Sequence, residues 1–141
     1  MCLTLVALFG GYAADVTTPI PVELWQVGDD ALSQKLAVAV ETAFRRSPDF
    51  RLTSIGTGRR LVVDIMSNVK TEIVGKRKEA TYTVRFSSLD DDTSKNPDLE
   101  QRLSLAKEIS TQRGSCWASE LPKCAAQIVS DAKTATRETP Q

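Results

Sequence analysis

Between Asp30 and Ser47 apolar residues recur at helical spacing: Leu32, Leu36, Ala39, Val40, Ala43 and Phe44 form one stripe. Asp29 or Asp30 caps this predicted helix, and Arg45 and Arg46 fall in its last turn, where the helix dipole favours cations. Ser47-Pro48 stops it, because a residue before proline is pushed out of helical geometry. Further along the period changes from 3.6 to 2. Leu61, Val63, Ile65, Val69 and Ile73 share one face, with Asp64, Asn68, Lys70 and Glu72 on the other. Ala80, Tyr82, Val84 and Phe86 alternate in the same way with Thr81, Thr83, Arg85 and Ser87. With a turn around Gly75 between them, the two runs predict a long antiparallel hairpin, buried on one face and wet on the other.

Around these two anchors lie weaker signals. Residues 14–21 are a proline-containing leader. Val22, Leu24 and Gln26 alternate with Glu23, Trp25 and Val27, which predicts a strand ended by Gly28. FRLTSI, after the first helix, reads as a short strand closed by Gly56-Thr57-Gly58. Residues 99–112 satisfy two patterns: Leu99, Leu103, Ala106 and Ile109 suit a helix capped by Asp98, while Leu103, Leu105 and Ile109 share an alternating face. We read this segment as a strand that completes the sheet. A last helix, running to about Lys133, turns Leu121, Ala125, Ile128, Val129 and Ala132 inward, and 134–141 is a tail. The order predicts one α+β domain over 22–133, a mainly antiparallel sheet with two helices packed on one face.

Composition narrows the function. At 141 residues there is material for one core. Lys plus Arg and Asp plus Glu both number 18, so no net positive field draws the chain to nucleic acid. Histidine is absent, which removes Ser-His and Cys-His nucleophile pairs, imidazole metal ligands and a switch near neutral pH. Carboxylates, lysine or tyrosine would have to do any acid-base work. The expectation is a protein that is not an enzyme and holds no cofactor and no metal.

The first stretch, MCLTLVALFGGYAAD, is apolar up to Asp15, too short for the roughly 20 residues that span a bilayer. Its length and small residues fit a secretory signal over 1–13, with Gly11 and Ala13 at the cleavage positions; a buried N-terminal strand is the alternative. Export would remove Cys2 and leave Cys116 and Cys124 as an even set. These two thiols lack the CxxC spacing of a redox pair and the further ligands of a zinc site. On one continuous helix they would sit about 12 Å apart, beyond the ~7 Å that a disulfide bridges. With Ser119 as an N-cap and Pro122 in the first turn, the helix starts near Glu120 and Cys116 lies ahead of it, in a loop able to fold back. A disulfide staple is the reading favoured; a pair of free buried thiols is the alternative. A staple implies a periplasmic or secreted protein.

Over 20–133 this order of elements resembles the anticodon-binding-like domains of bacterial envelope proteins, among them the N-terminal domain of TolB, the periplasmic part of CsgG and the outer-membrane activators of peptidoglycan synthases. The likeness is nearest in DALSQKLAVAVETAFRRSPDFRL, where a long helix runs into a phenylalanine and a strand. The resemblance implies a periplasmic accessory role beside another envelope protein.

Several stretches present chemistry. SIGTGRR has glycines and arginines but no Walker spacing, and reads as a β-connection with exposed arginines. Lys76, Arg77 and Lys78 form a basic turn suited to an acidic partner, without the interleaved aromatics of a nucleic-acid platform. Asp90, Asp92, Ser94 and Asn96 alternate as in a calcium loop, yet Lys95 replaces the glycine and Gln101 the closing acid, so a solvated loop is expected. Trp25 faces away from Val22 and Leu24 and is a candidate partner anchor; Trp117 is expected in the core or over the staple. The wet hairpin face adds Arg85, with Thr81, Thr83, Asp64 and Asn68. The partner-binding set is thus Trp25, Lys76, Arg77, Lys78 and Arg85. The function expected is a non-enzymatic periplasmic accessory domain with an envelope-protein partner; the alternative is a small secreted inhibitor or ligand binder that presents the stapled loop.

Overall fold

The computed structural model describes residues 18–53, 57–71, 75, 77–92 and 98–138. The signal segment at 1–13 and the basic-turn residue Lys76 lie outside that set. The chain runs β1 (Ile20–Val27), α1 (Ala31–Arg46), β2 (Phe50–Leu52), β3 (Thr57–Thr71), β4 (Lys78–Asp92), α2 (Leu99–Leu105), β5 (Lys107–Trp117) and α3 (Leu121–Glu138), with a 3₁₀ turn at Ala118–Glu120 leading into α3. The sheet order is β2-β1-β3-β4-β5. The fold is α+β, as expected, but the sheet is mixed. Strand β1 runs parallel to both neighbours, while β3–β4 and β4–β5 are antiparallel.

α1 forms where its stripe predicts. Asp30 is the cap: its carboxylate accepts from the Ser33 amide at 2.8 Å and from the Ser33 hydroxyl at 2.6 Å. Those bonds, the hydroxyl's foremost, hold its carboxyl below the usual aspartate value of 3.8. A depressed folded-state value means that the cap's contribution is complete above that usual value and is lost as pH falls through the lowered one. We therefore expect the Ser33 amide resonance, followed by NMR through an acid titration, to shift with a midpoint below 3.8.

Leu32, Leu36, Val40 and Phe44 of α1 are buried, as are Ala125, Ile128, Val129 and Ala132 of α3. The two helices pack on each other and over one face of the sheet, where Val22, Leu61, Val63, Ile65, Val84 and Phe86 meet them. This is the face that the alternation assigns inward. α3 runs past the expected end, to Glu138, because Ala135 continues its buried stripe at 1% exposure.

Three expectations need correction. Residues 99–112 are not one strand: α2, capped by Asp98, gives way at Ala106 to β5, which does complete the sheet. Both patterns were present because both elements are, end to end. β4 extends through Asp92, so Leu89–Asp92 belongs to the sheet and not to a solvated loop. Cys116 lies in β5 and not in a loop, and the 3₁₀ turn after it brings α3 back over the strand end.

Candidate functional site

The outward-facing residues of the strands make a second face, opposite α1 and α3. On β1 these are Glu23 and Trp25; across β3 and β4 the register places Arg60 opposite Leu89, Val62 opposite Ser87 and Asp64 opposite Arg85. α2 lies on this face, because its Arg102 reaches Glu23. No helix was expected there.

Beneath α2 four charges are buried together. The Arg102 Nη2 donates to Glu23 Oε1 at 2.6 Å and also to Oε2, and its Nε donates to Asp91 Oδ2 at 3.3 Å. Arg60 Nε donates to Glu23 Oε2 at 3.3 Å, its Nη2 to Asp91 Oδ1 and its Nη1 to the Gly58 carbonyl at 3.0 Å. Side-chain exposures are 1% for Arg60 and Asp91, 6% for Glu23 and 9% for Arg102. Two guanidiniums and two carboxylates cancel, so the cluster is desolvated but neutral, and among the described residues no fully buried side-chain polar atom is left without a partner, the condition for burying charge at tolerable cost. The Glu23 hydrogen bond is the main cause that raises Arg102 above its usual value, so it stays protonated. Arg60 overturns the expectation of exposed arginines in SIGTGRR; Arg59 beside it is exposed. No local motif marks this cluster: its charged partners are 11 to 79 residues apart.

The predicted site residues separate into two groups. Trp25 and Arg85 come together on the reverse face. Trp25 is half-buried with the Arg102 guanidinium 5.6 Å from its ring centre, and Arg85 Nη2 donates to Asp64 Oδ2 at 2.8 Å. Arg77 and Lys78 stand at the hairpin tip, about 24 Å away along β4 at ~3.4 Å per residue. There the Arg77 guanidinium lies 4.1 Å from the centre of the Trp117 ring. Trp117 ends β5 opposite Glu79, with Lys70 on the next strand.

Beside Trp117, Cys116 is bonded to Cys124 across a Cα separation of 6.1 Å. The disulfide ties the end of β5 to the first turn of α3. Replacing both cysteines by serine should cost about 2–3 kcal/mol in urea unfolding, the loop-closure entropy of so short a ring. Of the calcium-like set, Asp90 is an exposed residue of β4, and Ser94 and Asn96 lie outside the described residues. Among the described residues no group of three His, Cys, Asp or Glu gathers to hold a metal, and no helix is long and apolar enough to cross a membrane.

No protein-family model matches the chain, and a search of curated proteins finds no match. Among solved structures it is similar to the hypothetical protein CT253 from Chlamydia trachomatis, at 10% identity and a TM-score of 0.40 over 71% of this chain and 73% of that one. It is also similar to a minor lipoprotein from Acinetobacter baumannii, at 13% identity and a TM-score of 0.30 over 83% and 87%.

Proposed function

We propose that the chain is an exported, non-catalytic accessory domain that docks an acidic surface of another cell-envelope protein through the tip end of its hairpin. The observation that carries this reading is the held guanidinium of Arg77. A surface arginine ordinarily loses side-chain entropy on binding; here the Trp117 ring holds it while its donors stay open to solvent. The ring is itself anchored next to the Cys116–Cys124 staple, so the disulfide rigidifies the epitope as well as the fold. Lys70, Arg77 and Lys78 against Glu79 leave a surplus of positive charge at this end, which complements an acidic partner. The disulfide supports an oxidising compartment, and the resemblance to anticodon-binding-like envelope domains points the same way.

The test places a photo-cross-linking residue at Thr71, exposed and opposite Lys78 in the hairpin, in cells of the native host. We expect one adduct whose cross-linked peptide is acidic, and a loss of about tenfold or more when Arg77 and Lys78 are both changed to Glu. An adduct unchanged by that double reversal of charge would overturn the reading. So would freely alkylated Cys116 and Cys124 without prior reduction in protein taken from the host.

A further inference from the structure

Where α2 meets β5, the reverse face opens into a cavity of 320 Å³, at the lower end of the range of ligand sites. We propose that this cavity takes a protonated primary amine on an alkyl stem, the chemistry of a lysine side chain or a small diamine.

One wall is apolar, made by Trp25 and Val62. The other end is polar, and its groups are not all used. Ser87 is 5% exposed, and its hydroxyl makes no hydrogen bond to a described residue. It lines the cavity and opens into it. The Asp64 side chain is 8% exposed and spends one oxygen, Oδ2, on Arg85; Oδ1 has no described partner. Glu108, from β5, adds a second carboxylate at the rim, where it accepts from the Thr111 hydroxyl. An ammonium has three donors, and the polar end presents three acceptors: Asp64 Oδ1, the Ser87 hydroxyl and the Glu108 carboxylate.

Charge decides against an anion. The lining carries Arg85 against Asp64 and Glu108, a net −1, and the Arg85 guanidinium already faces the Asp64 carboxylate. The nearby Arg102 and Arg60 do not tip the sum, because Glu23 and Asp91 neutralise them. An entering carboxylate would meet that surplus negative charge in a half-desolvated space. An ammonium gains the surplus charge and the Oδ1 that Asp64 does not spend on Arg85, and its stem covers Trp25, whose ring face attracts a cation.

This inference does not rest on docking at the hairpin tip, and its test is separate. In a two-dimensional ¹H–¹⁵N NMR titration, Nα-acetyl-lysine-N-methylamide and putrescine are added in turn. We expect saturable shifts at the Trp25 indole and at the Arg85, Ser87 and Ala106 amides, with the Arg77 and Lys78 amides unmoved. Glu108→Gln, at an exposed position that leaves the fold intact, should weaken the midpoint severalfold, and Asp64→Asn about tenfold or more, as loss of a charge-assisted bond requires. Tighter binding of the lysine derivative assigns the site to a side chain of a partner protein; tighter binding of putrescine assigns it to a free diamine. Equal shifts with the neutral Nε-acetylated lysine derivative, with acetate or with a neutral sugar would overturn the proposal. So would shifts that do not saturate, or a midpoint unchanged in Glu108→Gln.

Discussion

Glu23→Ala should lower the unfolding free energy by about 3–5 kcal/mol, the cost of breaking a buried ion pair from one side. The carboxylate is 6% exposed and accepts from two guanidiniums, Arg102 of α2 and Arg60 of β3. Its removal leaves three charges where there were four and a net +1 out of water. A small domain has a total stability of ~5–15 kcal/mol, so the loss is a large fraction of it. Urea unfolding measures the loss. A companion variant separates charge from packing: replacing Glu23 and Arg102 together by apolar residues of similar volume should cost much less than Glu23→Ala alone, since no half-pair remains. A loss under about 1 kcal/mol for Glu23→Ala would show that water enters beneath α2 and that the cluster does not hold the helix down.

Phe44→Ala is expected to cost a comparable 3–5 kcal/mol, by a different route. Phe44 is fully buried on α1, and its ring stands edge-on to Phe50 with centres 5.2 Å apart. That contact ties the helix to β2, which pairs with β1 over only three positions. Truncation removes the transfer free energy of a phenyl ring and leaves a void that helix and strand cannot both close. Val38, on the same helix but 61% exposed, supplies the control: Val38→Ala should stay within about 0.5 kcal/mol. If the two variants unfolded alike, α1 would not be packed in the phase described.

How far this fold could be read in advance depended on the range of the interactions involved. α1, α3 and the β3–β4 hairpin were legible because each is specified by its own stretch. A stripe at period 3.6 or an alternation at period 2 needs no distant partner to be recognised. The split of 99–112 was half-legible: the helical and strand patterns share Leu103 and Ile109, so the sequence offered both elements without marking Ala106 as the point where one gives way to the other. The order β2-β1-β3, with its parallel pairings, left no local mark, because a parallel neighbour is chosen by the whole packing arrangement. The disulfide was legible from spacing and Pro122, although Cys116 occupies a strand.

Local chemistry, then, set the phases of the helices and strands, placed Trp25 and Arg85 on the outward side and made the hairpin tip basic, since these follow from side-chain direction along one element. Whether an outward residue meets water is a different question. Glu23, Arg60, Asp64 and Asp91 alternate with core residues as solvated side chains do, and they are buried because α2 and the α2–β5 joint close over them. Burial of that kind is a property of what arrives from elsewhere in the chain. Assembly alone put Arg102 on Glu23, Arg77 on Trp117 and, in the lining of a cavity, a Ser87 hydroxyl that has no partner among the described residues. Both candidate sites arise there, from residues that the fold brings together and the linear order keeps apart.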